Sequence, residues 1–159
     1  MAMDSLLQLS GVLFRLHDDW FFVDALRVRE IIRPPGLSVI AGMPGFVAGV
    51  MTYRGATVPV LNVWKLFEPG SGEVETGSRI LLLNMPGWLL GIFADEVAGL
   101  LALSVDVIQP PPLLSPIASY SIGVAVNRGR SVTLVNIDRL LSSEEERCIV
   151  KLVQQDTNG

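Results

Sequence analysis

The chain has 159 residues, half of them apolar, with one cysteine, one histidine and a formal net charge of −4. That length suits one ordinary domain, or two very small units that share a core, and excludes a multidomain enzyme. A single cysteine excludes an internal disulfide framework and any multi-cysteine zinc site, and basic residues scattered singly through an acidic chain make nucleic acid a poor partner.

The opening MAMDSLLQLSG has no basic region and carries Asp4, which argues against a secretion signal. The densest apolar stretch, residues 80–94, is broken by Asn84, Pro86 and Gly87. It falls short of the ~20 continuous apolar residues of a spanning helix. A cytoplasmic protein with no direct membrane insertion is expected. The mean hydropathy of +0.47 is high, so the core is unusually complete, or apolar surface is kept for partners, or both.

In chain order, short runs rich in Val, Ile, Leu and Phe recur, each closed by Gly, Pro, Asn or Asp, which is how short strands and tight turns read. Strands are predicted at 12–17, 20–25, 28–32, 50–53, 57–61, 80–84, 88–94, 99–103, 122–127 and 131–135. Asp18-Asp19 and Pro86-Gly87 read as two-residue hairpin apices, and so do Arg54-Gly55 and Arg128-Gly129. Asn62 and Asn136 suit helix N-caps before short apolar segments at 63–67 and 137–141. Pro59 cannot donate to a ladder, so its strand is expected at an edge or a bulge, open to a partner. At the C-terminus, Ser143 with Glu146 forms a capping-box pattern for a helix over about 143–153, with Cys148, Ile149, Leu152 and Val153 as its apolar stripe. Residues 154–159 are expected to fray.

The chain writes one phrase twice. GVMTYRGATVPVLNVWKLF, starting at Gly49, aligns without a gap to GVAVNRGRSVTLVNIDRLL, starting at Gly123. Gly49/Gly123, Val50/Val124, Arg54/Arg128, Gly55/Gly129, Val58/Val132 and Asn62/Asn136 are identical pairs. The segments upstream echo each other more weakly, giving two copies of a unit of about sixty to seventy residues. The loop EPGSGEVETGS, 68–78, falls between them. Each unit holds about five short strands, and such sets avoid exposed edges by closing into small barrels. The fold class is therefore mostly β: two small five-stranded barrels within a single domain, the first about 11–67 and the second about 78–141, with some chain exchange between them.

Converging catalytic groups are missing. His17, the sole histidine, reads as a solvated turn residue. No serine has a nucleophile pattern, and no phosphate-cradling glycine motif occurs. Asp95 and Glu96 are neighbours that point apart on a strand, with no histidine or cysteine nearby to complete a metal site, so a strand-end turn is expected. Trp20 and Trp88 are expected in the cores, and Trp64, which has no counterpart in the second copy, either there or at the surface. Glu30, Arg54 and Arg128 remain: Arg128 reads as an ordinary surface charge. Arg54, a planar guanidinium on a rigid hairpin, reads as a binding anchor, and Glu30 as its electrostatic counterpart.

Taken together these residues resemble the CheW family of chemotaxis coupling proteins. The resemblance rests on Val28-Arg29-Glu30-Ile31 (V-x-E-I), the P-x-F-V-x-G-V run at 44–50, TYRGATVPVLNV, Ala94-Asp95-Glu96-Val97, and the closing hairpin with LVNIDRLL. It covers about residues 11–141. The resemblance implies paired five-stranded barrels of SH3-like shape and no enzymatic activity or cofactor. It further implies an adaptor that bridges the cytoplasmic tips of methyl-accepting chemoreceptors to the regulatory domain of a CheA-type histidine kinase, recruited to receptor arrays and in contact with other members of the family. Carried over residue by residue, the binding surface comprises Val28, Glu30, Arg54 and Gly55, with Gly49, Val97 and Gly123 as kinase contacts. Three departures stand out: Asn62 where the family has aspartate, Tyr53 in place of a small or aliphatic residue, and Trp64 where a polar residue is common. They fit a non-flagellar pathway, such as surface motility or second-messenger control, or an adaptor that binds only one of the two partners. The alternative class is a small β-barrel whose interior takes a hydrophobic ligand.

Overall fold

The computed structural model describes residues 7–67 and 78–158. The loop between the two copies lies outside the described residues except for Ser78. All ten predicted strands form: β1 (Gln8–Leu16), β2 (Asp19–Asp24), β3 (Val28–Ile32), β4 (Val47–Tyr53), β5 (Ala56–Leu61), β6 (Arg79–Met85), β7 (Trp88–Ala94), β8 (Glu96–Ser104), β9 (Ser121–Asn127) and β10 (Arg130–Val135). Two helices accompany them, α1 (Trp64–Phe67) and α2 (Ser143–Asn158). The predicted helix at 137–141 is a single 3-10 turn, Ile137–Arg139.

The strands make two five-stranded sheets, ordered β8-β1-β2-β10-β9 and β3-β6-β7-β5-β4. Position for position the orders correspond, β8 with β3, β1 with β6 and so on. Each sheet takes the first hairpin of one copy and the last three strands of the other. The chain passes from one sheet to the other through the 3-10 turn Ala25–Arg27 after β2, and back at Asp95 between β7 and β8.

Three apolar clusters follow from the alternation of side chains along these strands. Leu13, Phe22, Leu103, Ala125, Val132 and Leu134 come from all five strands of the first sheet, so that sheet curves around them. Met51, Val58, Val60, Ile80, Leu82 and Phe93, from β4 to β7, fill the second sheet, with the half-buried Ile32 of β3 packed against them. The alternate residues, among them Val12, Phe14, Phe21, Leu61, Leu81, Leu83 and Ile92, form a third cluster between the sheets, joined by Phe67 of α1 and Ile149 and Val153 of α2. The hairpins β1–β2 and β6–β7 are thus buried on both faces, which is why they read as nearly unbroken hydrophobic runs. Both inner clusters are filled by the chain's own side chains.

Several local expectations are corrected. Pro59 lies in β5, an interior strand between β7 and β4. Its partner Val50 spends its N–H and C=O on Ser38, at 2.8 and 2.9 Å, so Val50 and Pro59 form a pair without mutual hydrogen bonds. The proline nitrogen therefore faces β7, whose parallel ladder with β5 begins one residue later at Val60. In the other copy Thr133 stands at the proline's place and the equivalent ladder with β2 runs from Val132 to Leu134. The first hairpin apex is His17-Asp18, one residue earlier than expected, because Leu16 pairs with Asp19 and His17 adopts φ 55°.

The cap of α2 is also one residue earlier. Ser142 Oγ accepts from the Glu145 N–H at 3.1 Å, and the Ser142 N–H donates to Glu145 Oε1 at 2.8 Å. Glu146 is left to accept from Trp88 Nε1 at 3.3 Å. The helix continues through the residues expected to fray, to Asn158, and Cys148 is exposed while Ile149 and Val153 carry the packing. Asn62 and Asn136 cap as expected, accepting from the N–H groups of Trp64 at 3.1 Å and Asp138 at 3.0 Å. Trp20 and Trp88 sit half-buried at core margins, Trp20 beneath the Arg130 guanidinium at 4.1 Å. Trp64 is half-buried against the His17 ring, 4.4 Å away.

Candidate functional site

The two Arg-Gly turns are built alike. Tyr53 pairs with Ala56 and Asn127 with Arg130, leaving a two-residue loop in each hairpin. Both loop residues are left-handed: Arg54 and Gly55 at φ 48° and 83°, Arg128 and Gly129 at 52° and 77°. This is the type I′ geometry that matches the right-handed twist of the flanking strands, and its first position favours asparagine. Arginine holds that position in both copies and is exposed in both.

Glu30 and Arg54 are brought to one rim by a bulge. In the β3–β6 ladder Val28 pairs with Leu83 and Glu30 with Leu82, so Arg29 is an extra residue. Regular alternation would place Val28 and Glu30 on the same face. With the bulge, Val28 follows Leu83 toward the cluster between the sheets, and Glu30 follows Leu82 toward the inner face of the second sheet. There the edge strands β3 and β4 come close enough for the Tyr53 hydroxyl to donate to Glu30 Oε2. That hydrogen bond holds the Tyr53 phenol above its ordinary pKa. The Arg54 guanidinium lies 5.2 Å from the centroid of the same ring, and no described carboxylate pairs with it. Tyr53, which sequence reasoning marked only as a departure, is thus the link between the two charges.

A second feature lies where the free edges of the two sheets, β3 and β8, face each other. A groove of about 270 Å³ is lined by Val12, Ala25, Val28, Ile31, Gly99 and Leu100, with Arg29 and Glu30 on its border. Leu100 is 79% exposed, Leu26 in the turn before β3 is 87% exposed and Ile31 40%, an apolar strip on an edge. Val97, two residues before Gly99 on β8, is half-buried and packed on the central cluster. On the other side of the Arg54-Gly55 turn, a cleft of about 760 Å³ runs from Gly55 and Val58 past Met85, Pro86 and Trp88 to Val150 of α2.

Gly49 and Gly123 are buried rather than presented at the surface. A Cβ at Gly49 would stand 2.8 Å from the Ser38 carbonyl oxygen, and one at Gly123 2.8 Å from that of Gln109. Their absent side chains let Ser38 and Gln109 pair with Val50 and Val124, the neighbouring residues in each copy. Asp95 and Glu96 act separately, as expected of a strand-end turn: Asp95 Oδ2 accepts from the His17 N–H at 2.7 Å, and Glu96 pairs with Arg15 at 3.2 Å.

A family profile described as the CheW-like domain matches residues 10–145. The chain belongs to the CheW-like domain family. It is 30% identical over 136 residues to the chemotaxis protein CheW of Klebsiella aerogenes, covering 84% of this chain and 82% of that one. To the chemotaxis protein CheW of Treponema pallidum it is 29% identical over 151 residues, covering 91% and 89%. The solved structure of the scaffolding protein TtCheW from Thermoanaerobacter tengcongensis superposes with a TM-score of 0.76 at 23% identity, covering 86% of this chain and 90% of that one. The CheW fold of two SH3-like subdomains is therefore shared, with one five-stranded sheet in each. CheW proteins are scaffolds of chemotaxis-type signal transduction, and the family works with chemoreceptors and CheA. Among the described residues no helix is long and apolar enough to cross a membrane.

Proposed function

We propose that this chain is a non-catalytic adaptor that joins the cytoplasmic tip of a methyl-accepting chemoreceptor to the regulatory domain of a CheA-type histidine kinase, at membrane-associated receptor arrays. The observation that carries this reading is the exposed apolar strip of Leu26, Ile31 and Leu100 along facing sheet edges, bordered by fixed charges. An apolar helix face laid into such a groove with flanking charges is a recurrent mode of recognition, and a receptor tip presenting such a face would fit it. Val28 and Ile31 line the groove with Glu30 on its border, and Arg54 and Gly55 form the exposed turn linked to Glu30 through Tyr53. The kinase domain meets strand ends and turns. Val97 supports the groove from beneath, and Gly49 and Gly123 serve that contact indirectly, through the backbone approach they permit. Tyr53, at the rim it shares with Glu30 and Arg54, suits the surface to a partner outside the flagellar pathway, whereas Asn62 is a buried cap and Trp64 packs on His17.

The test is Arg54→Glu. Co-sedimentation with a receptor tip and kinase should be lost, while circular dichroism and melting temperature stay near wild type because the side chain is exposed. Full ternary assembly by that folded variant would overturn the proposal. Pull-downs with receptor and kinase separately distinguish a bridging adaptor from one that binds a single partner.

A further inference from the structure

We propose that Tyr53 is a positioning residue for partner recognition: it ties the Glu30 carboxylate to the hydroxyl end of its side chain and carries the Arg54 guanidinium over its ring, so that anion and cation are displayed apart. The partner it fits presents a basic and an acidic residue separated by about the length of a tyrosine side chain, beside an apolar stripe. This rests on the adaptor reading and adds a determinant to it.

The argument begins with the three contacts. Glu30 and Arg54 lie at one rim because the bulge at Arg29 turns Glu30 toward β4 and the Arg-Gly turn closes β4 against β5. No ion pair joins Glu30 to Arg54 among the described residues; each instead contacts Tyr53. Its hydroxyl donates to Glu30 Oε2, and a charge-assisted hydrogen bond of this kind is stronger than a neutral one. Its ring face lies 5.2 Å from the Arg54 guanidinium carbon, within the range of a cation–π contact. Among the described residues no carboxylate pairs with Arg54, which leaves its guanidinium facing a partner's acid. Glu30 retains its second oxygen for a partner's base. A rigid aromatic with two χ angles fixes both at a small entropic cost, which favours affinity by pre-organisation. Phenylalanine would keep the ring and its packing near Met51 and Val58 but release Glu30.

The experiment is a double-mutant cycle between Tyr53→Phe and Glu30→Ala in the full chain, since glutamine would keep an oxygen able to accept from the Tyr53 hydroxyl. Binding is measured to a soluble chemoreceptor cytoplasmic tip and, separately, to the kinase regulatory domain from the same genome. Tyr53→Phe should weaken binding to at least one of them by roughly fivefold, the usual scale of one lost hydrogen bond. In the Glu30→Ala background the same substitution should have no further effect, because a residue acting through another is silent once that other is removed. Spectrophotometric titration of the two tyrosines checks that the contact forms in solution: Glu30→Ala should bring the Tyr53 phenol down toward its ordinary value. Wild-type binding by Tyr53→Phe, or an equal loss in both backgrounds, overturns this inference alone and leaves the adaptor reading standing. Wild-type binding of both partners by Glu30→Ala and by Arg54→Glu overturns the adaptor site as well.

Discussion

At Arg54 and Arg128 the side chain stands where the backbone least favours it. A left-handed non-glycine residue costs on the order of 1 kcal/mol, and asparagine, which tolerates that region, is the usual occupant of this turn position. Arg54→Asn and Arg128→Asn should each therefore stabilise the fold, by about 0.5 to 1 kcal/mol in chemical denaturation. Only Arg54→Asn should also lose partner binding, since only Arg54 adjoins Tyr53 and Glu30. A destabilising effect of either substitution would show that the guanidinium supports the turn. The glycines of both turns and the N-cap asparagines were legible from sequence, because each answers a local backbone need. The Tyr53–Glu30 contact was not, since it spans the two edges of a curved sheet and depends on one bulged residue.

Between elements, the chain crossing after β2 is held by a clamp. Arg27 reaches Asp138 with two hydrogen bonds of 2.9 and 3.0 Å and donates to the Asn84 carbonyl oxygen at 3.0 Å, tying the crossing to β6 and to the 3-10 turn after β10. The Arg27 hydrogen bonds hold the Asp138 carboxyl below its ordinary value. A carboxylate whose folded pKa is depressed contributes stability that is present above the unfolded value, near pH 4, and lost as pH falls through the folded value. The Asp138 side chain is 62% exposed, so solvent screening keeps the contribution to about 1 kcal/mol or less. Asp138→Asn should thus be less stable than wild type at pH 7 in urea denaturation, with the gap narrowing as pH falls below about 4. A gap independent of pH over the acid range would place the effect in packing. The strands themselves were readable because burial on both faces makes β1, β2, β6 and β7 continuous apolar runs. Their ends were not: His17 takes a turn position that sequence assigns to aspartate, and three consecutive glutamates after two serines leave the α2 cap ambiguous by one residue.

Across the whole molecule, the repeat was written in the sequence, but the partners of each strand were not. Both copies carry equivalent edges, so the same ladders form whether a hairpin pairs within its own copy or with the other. The structure takes the second course in both sheets. Neither copy then contains a complete sheet, and the cluster between the sheets draws on both. Two fragments, 1–72 and 73–159, should each lack cooperative unfolding alone and regain a single transition when mixed, as followed by thermal melting. A cooperative transition from the first fragment alone, at a concentration too low for it to dimerise, would show that one copy suffices.

The double crossing also bears on what a scaffold of this kind transmits. Relative rotation of the two lobes would have to deform both crossings, the Arg27 clamp and the shared cluster at once. A load on one lobe would therefore reach the other through covalent chain and packed core together, as through a strut, where a two-domain tether would absorb it.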